Sequence, residues 1–582
     1  MSFLGELKRR HVYRIGIAYL VLGWIVIQVT DTVAPALKLP DWTLTVVTWF
    51  GVLGFPFALL FAWAFELTPA GIKRTASSER ADNPGNTAFS EKSENELAER
   101  SIAVLPFVNM SSDPEQEYFS DGISEEILNT FARIPGLQVR GRSSSFYFKG
   151  RNEDLRTIGA MLKVGYLVEG SVRKAADQIR ITVELLDVRS DTHLWSKTYD
   201  RELKAVFAIQ EDIARSIAEA LEITLRVGKL GRIDGMTQDM RAYEDYLTGR
   251  SHFRHQYAHI QEAIEYLERA VGIDPDFGLA WGELADVYSE ATLWCAPERA
   301  NEYRKKSEQA AACASAIAPN ASSTLYAMAV LKRDRREWAD AETTMRHSLA
   351  LYPNDYGSNL GYAILLGSVG RMRESLGYVE RAGRIEPLNF LPLQSAILYL
   401  DALGELDKAL LKADEAHQCR IGDPIVIDSA RWLIGKATND RALMAATYEK
   451  VIQASERYLP PANHALTPTL YGLLDQPEAG RAALHRFVND PGYSSDFIRT
   501  SALATWACYF GDPELALALQ YRDGKPIVAR MDHLWRTIYR PMRRLPGFKQ
   551  LVADIGLVDY WRKTGNWGDF CRPIGDEDFE CE

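Results

Sequence analysis

The sequence predicts a multi-domain chain: a two-helix transmembrane hairpin, then a small α/β sandwich with a mixed sheet, then an all-α solenoid. Three observations carry this prediction. Two long runs with almost no charge lie near the N-terminus, a central region alternates strand and helix patterns, and the rest shows helical patterns with a recurring proline. At 582 residues the chain is too long for one core, so several structural units are expected.

Residues 1–74 are predicted to form a membrane anchor with helices at about 15–37 and 42–65. The second run carries no charge, and both runs reach the ~20 residues that cross a hydrocarbon core of ~30 Å. A secretory signal peptide followed by a buried helix is the alternative, but it does not explain a second, longer span.

The positive-inside rule gives the expected orientation of this hairpin. Lys8, Arg9 and Arg10 precede the first run, and Lys73 and Arg74 follow the second. Both termini and the soluble domains are therefore predicted to be cytoplasmic, with residues 15–65 in contact with the lipid bilayer.

The net charge and the cysteine pattern limit which binding partners and which cellular compartment are expected. The formal net charge is −11, which argues against a general affinity for nucleic acid. The six cysteines form no CxxC pair, so neither a zinc ribbon nor a thioredoxin-like motif is present. Scattered cysteines in a chain of this size predict free thiols in a reducing compartment.

Residues 75–100 are polar and poor in aromatics, as is typical of a flexible linker, and a folded α/β domain is expected over 101–230. "SIAVLPFV" predicts a buried strand, and "QIRITVELLDV" alternates apolar and polar residues as a half-buried strand does. The element order β-α-β-α-β-β-β-α predicts a mixed sheet whose helices cover one face.

These phrases resemble a known bacterial domain. "SIAVLPFVNMSSDPEQEYFSDGISEEILNTFARIPGLQVRGRSSSFYFKG" and "VGYLVEGSVRK…IRITVELLDVRSDTHLWSKTYDREL" resemble the TolB amino-terminal-like (FlgO-like) domain. The resemblance implies attachment to tetratricopeptide arrays, often beside a class III nucleotide cyclase or a winged-helix regulator. It also implies a bacterial inner (plasma) membrane protein. Because some relatives are exported, periplasmic soluble domains are the second expectation for location.

An acidic stretch, "SSDPEQEYFSDGISEEI", follows the first predicted strand of this domain. Asp121 suits a helix start, and Glu125 and Glu126 suit the first helical turn. A metal or phosphate site is the alternative, but no histidine lies nearby in sequence and no phosphate loop is present. "GRSSSF", residues 141–146, does not fit GxSxG and is predicted to be a solvated loop.

From about residue 240 to 545 only helical patterns occur, and they repeat. Pro275, Pro319, Pro353 and Pro387 are separated by 44, 34 and 34 residues. "WGELADVY" and "QEAIEYLERAVGIDP" make this region resemble tetratricopeptide repeats. Such an array implies a superhelix with a concave groove that binds peptides or helices.

The resemblance also implies which positions face the groove and bind a partner. They are Asp245, Thr248, His252, His255, Gln256, Asp286, Glu290, Tyr326, Arg333 and Asp334. His252, His255 and His259 fall on one helical face, where a zinc site is the alternative to a polar groove surface. Residues 546–582 are predicted to cap the last helices with Trp561, Trp567 and Phe570, before a loose acidic tail.

Together these features favour a membrane-anchored scaffold or adaptor that holds protein partners in the groove. A regulatory or ligand-sensing component of a nucleotide-cyclase or transcriptional signalling pathway is the alternative. An enzyme is not expected, and the sequence assigns no catalytic, cofactor-binding or metal-binding residue, because no nucleophile–base pair or ligand set stands out.

Overall fold

The computed structural model describes residues 65–68, 71–74 and most of 101–582. Within the last range the description leaves out residues 114–115, 133, 135–136, 152, 176–177, 203–207, 210–211, 214, 218–234, 256–258, 295–296, 420, 422–423, 459–463, 491–496, 523, 527–530 and 576. The chain divides into two compact units, Met1–Glu91 and Lys92–Glu582.

The described part of the first unit is a short antiparallel hairpin of strands β1 (Phe65–Thr68) and β2 (Gly71–Arg74). No helix among the described residues combines the length and the apolar character needed to cross a bilayer. This finding overturns the predicted transmembrane hairpin and the bilayer contact, inner-membrane location and cytoplasmic placement inferred from it. The predicted spans 15–37 and 42–65 lie outside the described residues, except for Phe65.

The reason for this error is physical. An uncharged run of about 20 residues is necessary for a transmembrane helix, and the prediction treats it as sufficient. Where the second span was expected to end, Phe65 instead pairs with Arg74 in an antiparallel ladder.

The second unit begins with a mixed sheet in the order β5-β3-β6-β7-β8, with the short β4 beside β6. β3 pairs in parallel with β5 and β6, whereas β6, β7 and β8 are antiparallel. The strands are β3 (Ser101–Val104), β4 (Val108–Asn109), β5 (Gln138–Val139), β6 (Tyr166–Ala175), β7 (Gln178–Asp187) and β8 (Thr192–Glu202). The predicted mixed sheet is confirmed.

Helices pack on both faces of this sheet, not on one as predicted. They are α1 (Glu117–Ala132), α2 (Arg142–Phe146) and α3 (Leu155–Leu162). On one face α1 and the isoleucines at 209, 213 and 217 cover Val104, Val168 and Ile181. On the other face α3 covers Ala103 and Leu167. β3 is buried at every position, and three of its four residues are apolar, as expected for a strand covered on both faces.

The rest of the second unit is mainly helical, as predicted. Its paired helices are α4 (Met240–His255), α5 (Ile260–Ile273), α6 (Gly278–Trp294), α7 (Pro297–Ile317), α8 (Ser322–Asp334), α9 (Trp338–Leu351), α10 (Tyr356–Ser368), α11 (Met372–Ile385), α12 (Phe390–Ala402), α13 (Leu406–Cys419), α14 (Pro424–Thr438) and α15 (Arg441–Tyr458). Small residues lie where the helices meet: Ala263 and Ala341 are fully buried.

Shorter elements complete the chain. The helices are α16 (Leu466–Tyr471), α17 (Pro477–Val488), α18 (Phe497–Tyr509), α19 (Pro513–Ala518), α20 (Arg540–Arg543), α21 (Pro546–Asp554) and α22 (Leu557–Thr564), with 3-10 turns at Met531–Trp535 and Thr537–Tyr539. The strands are β9 (Tyr521–Arg522), β10 (Lys525–Pro526), β11 (Cys571–Ile574) and β12 (Asp578–Cys581).

The C-terminal segment was predicted to cap the last helices of the array, but it also makes contacts elsewhere. It folds back onto the middle repeats, where Trp561 Nε1 donates to the carbonyl of Val369 at 3.0 Å. Trp338 Nε1 of α9 donates in turn to the carbonyl of Ile555 at 2.7 Å. These contacts span 192 and 217 residues, so local sequence patterns cannot indicate them.

The end of the chain also differs from the predicted loose tail. β11 and β12 form a hairpin closed by a disulfide between Cys571 and Cys581. The expectation that all six cysteines are free thiols is therefore wrong. Phe579 of this hairpin packs against Trp561 and Trp567, which gives the terminal residues an apolar anchor.

Candidate ligand pocket

A cavity of about 650 Å³ opens on the face of the sheet that α3 covers. The floor is apolar and is formed by Leu105, Phe107, Phe148, Leu155 and Ile158. Along the paired strands β6 and β7 the cavity is lined by polar side chains: Glu169, Ser171, Thr182 and Glu184. An apolar floor with a few polar groups on one side is the usual composition of a small-molecule site.

Local sequence features shape two sides of the cavity, the start of α3 and the paired strands β6 and β7. Asp154 caps the start of α3, where its carboxylate accepts from the backbone N–H groups of Arg156 and Thr157 at 2.9 and 3.1 Å. Gly170 lies between the polar side chains of β6, and a Cβ at this position would come within 2.3 Å of the carbonyl oxygen of Thr182. Glycine therefore permits the close approach of β6 and β7 beneath the cavity.

Two carboxylates face each other across the strands that line the cavity. Glu169 of β6 stands opposite Glu184 of β7 in the antiparallel register. Glu184 has partners, since His193 Nδ1 lies 2.8 Å from one carboxylate oxygen and Ser196 Oγ donates to the other at 3.3 Å. Burial raises the pKa of the half-buried Glu169, and the charge of Glu184 raises it further, while His193 acts in the opposite direction.

Glu169 therefore destabilises the folded protein when it is ionised. Because its folded-state pKa lies above the ordinary value of 4.5, the folded state binds this proton more tightly than the unfolded state. We expect Glu169→Gln to raise the free energy of unfolding at pH 7 by about 0.5 kcal/mol, the scale of relieving a cross-strand pair of like charges. The gain should vanish below about pH 4, where the carboxyl is protonated in both states.

Urea unfolding of the intact chain at several pH values measures this difference. Glu202→Gln, a matched change at the exposed end of β8, is the control and should show no such gain. An equal or lower stability of Glu169→Gln at pH 7 would contradict the unfavourable position assigned to this carboxylate.

The wall of the cavity formed by residues 148–151 is tied to α1. Lys149 Nζ lies 3.0 Å from Glu117 and 2.6 Å from Asp121, both on α1. Desolvation raises the pKa of Asp121, and the bond with Lys149 opposes that rise. The structure corrects the predicted helix start, because α1 begins at Glu117 and Asp121 lies inside it.

One turn farther along α1, Glu125 and Glu126 meet the first helix of the array. Arg250 of α4 pairs with Glu125 and lies 3.1 Å from Glu126 and 4.0 Å from Glu283. Burial alone would lower the pKa of Arg250, but the surrounding acidic groups, Glu125 foremost, raise it well above its ordinary value. These residues therefore form a buried ionic junction between α1 and the array. The prediction that Glu125 and Glu126 lie in the first turn of a helix is wrong, because α1 begins at Glu117.

A second junction joins the same module to the turn between α11 and α12. The carboxylate of Glu386 accepts from the backbone N–H groups of Ser143 and Ser144 at 2.9 and 2.7 Å. Ser144 Oγ accepts from the backbone N–H of Leu388 at 2.9 Å. The segment "GRSSSF" was predicted to be a solvated loop, but it forms the short helix α2, with Ser144 and Ser145 buried.

The structure places the predicted groove residues on several helices, and their role in partner binding stays a prediction. On α4, Asp245 accepts from Arg269 Nη2 at 2.6 Å, and Thr248 Oγ1 donates to the backbone carbonyl of Glu244 at 2.9 Å. Asp286 and Glu290 lie on α6 and are partly buried. His255 ends α4, and Gln256 lies outside the described residues.

Two other predicted groove residues come together. Tyr326 and Arg333 of α8 line one small concavity with Gly361 of α10. Arg333 Nη2 also lies 2.8 Å from Asp334, its neighbour in the chain. Of the histidines, His252 stacks on Tyr266 with ring centroids 5.4 Å apart, and 5.8 Å separates its ring from that of His259.

The cavity itself was not predicted from the sequence. Its charged wall uses residues assigned only to strands, and the alternation places Thr182 and Glu184 on the polar face of β7. A usable signal does exist in "YLVEGSVRK", where a glutamate and a glycine interrupt a strand. Glycine within a strand often marks a bulge or a close approach of a second backbone or a ligand.

Comparison with known proteins adds two similarities. Residues 98–216 match the family described as "HilA/YgeH-like transcriptional regulator, second domain". A protein of Rhizobium meliloti (strain 1021) named "Putative adenylate cyclase 3" is 39% identical over 221 residues, which are 38% of this chain and 38% of that protein. The chain thus matches well under half of that relative's length.

These similarities change two expectations. The matching family is described as part of a transcriptional regulator, not as the TolB amino-terminal-like domain that the sequence suggested. Both similarities are to proteins described in regulatory or signalling terms, which favours the regulatory alternative over a membrane-anchored scaffold. The matched residues 98–216 contain all the residues that line the cavity.

Proposed function

We propose that this chain is a regulatory component of a nucleotide-cyclase or transcriptional signalling pathway, and that its α/β module senses a small ligand. The observation that carries the proposal is the cavity of about 650 Å³ in a region similar to part of a transcriptional regulator. The named cyclase relative supports a signalling context. The chain acts by binding in this proposal, and no catalytic step is assigned to it.

The position of the cavity supports a route by which ligand binding alters contacts with the helical array. Lys149 lines the cavity and pairs with α1, and the next turn of α1 carries the carboxylates that hold Arg250. The same segment follows α2, whose first residues are held by Glu386. A ligand that shifts residues 148–151 therefore acts on both junctions, and the array offers its surfaces to the next protein in the pathway.

Blocking the cavity should abolish ligand binding without unfolding the module. We expect that a panel of small amines, carboxylates, sugars and nucleotides contains at least one compound that raises the Tm of the intact chain by roughly 2 °C or more at high excess. Thr182→Trp, which places a bulky indole among the residues that line the cavity, should remove that rise.

Thr198→Trp is the matched control. Thr198 lies opposite Thr182 on the next strand, and the two hydroxyls are 3.1 Å apart, so both variants lose the same hydrogen bond. Thr198 does not line the cavity, and its variant should keep the ligand response. A panel without any stabilising compound, or a rise that survives in Thr182→Trp, would refute the proposed function.

A further inference from the structure

We infer that the cavity selects a ligand with a protonated nitrogen on an apolar body, and that the carboxylate of Glu169 accepts from that nitrogen. This inference rests on the proposed function and adds the chemical class of the ligand. It stands on the arrangement of charges around the cavity and on the composition of the cavity floor.

Glu169 forms no ion pair with any of the described residues. Its electrostatic neighbours are Glu184, which repels it, and His193, which is held by Glu184 at 2.8 Å. Charged side chains that are even half removed from water are ordinarily paired, because desolvation penalises the charged form. A cation delivered by the ligand would relieve the repulsion between the two opposed carboxylates.

The cations near the cavity already interact with other side chains, so the cavity is poorly suited to bind an anion. Lys149 is held by two carboxylates of α1, at 3.0 and 2.6 Å. Arg151 is exposed, and its guanidinium stacks on the ring of Tyr147 at 3.9 Å from the centroid. Four carboxylates and two cations line the cavity in all, so its field favours a positive ligand.

The apolar floor of the cavity favours a ligand with an apolar body. Leu105, Phe148 and Ile158 belong to the buried cluster beneath α3, and all three reach the cavity. An apolar group lying on this floor would remove its own surface and that of the floor from water. A hydrated inorganic cation would leave the floor uncovered, so an organic amine fits better than a metal ion.

Calorimetric titration of the intact chain tests the inference with two probes of matched size. Phenethylamine carries an ammonium group on an aromatic body, and 3-phenylpropionate carries a carboxylate on the same kind of body. We expect phenethylamine to bind more tightly than 3-phenylpropionate by about tenfold or more, and Glu169→Gln to remove most of that preference. Glu202→Gln, outside the cavity on the same sheet, should bind like the unmodified chain.

The outcomes separate this inference from the function on which it rests. Equal binding of the two probes, tighter binding of the carboxylate, or full amine binding by Glu169→Gln would overturn the assignment of ligand class. Failure of both probes would also overturn it, and if another compound of the panel still binds and is blocked by Thr182→Trp, the proposed function stands. Failure of every compound removes both.

Discussion

Replacing Arg250 by leucine is expected to lower the free energy of unfolding of the intact chain by about 3–5 kcal/mol, the cost of removing one partner from a buried ionic cluster. The side chains of Arg250, Glu125 and Glu126 are 6%, 6% and 4% exposed, so water cannot replace the lost cation. The variant leaves carboxylates of both α1 and α6 facing an apolar side chain.

Arg241→Leu is the matched control on the same helix. Its side chain is 78% exposed and pairs with Asp239 in solvent, so the free energy of unfolding should be essentially unchanged. Adding Glu126→Gln to Arg250→Leu should restore part of the loss, because that buried carboxylate then no longer lacks its cation, whereas Glu125 still pairs with Arg142 at 2.8 Å. Equal stability of Arg250→Leu and Arg241→Leu in urea titrations would contradict the buried junction.

Replacing Trp561 by alanine is expected to cost about 3–5 kcal/mol, the range for truncating a large, fully buried side chain. Trp561 is 0% exposed and packs between Trp535 and the C-terminal hairpin. Because its indole also donates to the carbonyl of Val369, the substitution should loosen the C-terminal segment from the middle repeats. Thermal unfolding and limited proteolysis of residues 531–582 would show the effect.

Trp561→Phe separates packing from hydrogen bonding in this contact. It keeps most of the apolar surface but leaves the Val369 carbonyl without its donor, so we expect a smaller loss of about 1–2 kcal/mol. If Trp561→Ala unfolds no more easily than Trp561→Phe, the ring does not anchor the segment as described.

The periodicity of apolar residues sufficed to predict the strands and helices that pack against their neighbours in the chain. Strand β7 was predicted from alternation, and Ile179, Ile181 and Val183 are all fully buried. The helical pairs followed from apolar spacing, and Ala263 and Ala341 lie at their contacts. In these segments one face is buried against the nearest neighbours, so the pattern in the chain reports the packing directly.

Contacts between distant segments were not predictable in this way. α2 forms in "GRSSSF" because Glu386, more than 240 residues away, accepts from its first N–H groups. Glu125 looked like a residue of a first helical turn, but its partner Arg250 lies 125 positions later. The cavity depends on the register of β6 and β7, which brings Glu169 and Glu184 opposite each other, and no motif marks that register.

The membrane prediction failed for a different reason. It rested on the length of uncharged runs alone, and no described helix has the length and apolar character of a transmembrane span. The α/β module and the array belong to one compact unit, and the proposed function rests on these two parts.

Hydrogen exchange of the intact chain, with and without the panel compound that raises Tm most, tests the central claim that the cavity reports to the array. We predict slower exchange at residues 148–151 and a simultaneous change in α4 and at residues 385–388, the two places where the module meets the array. The Thr182→Trp variant should show neither. Changes confined to the cavity wall, or changes in the array without any at the cavity, would contradict the account.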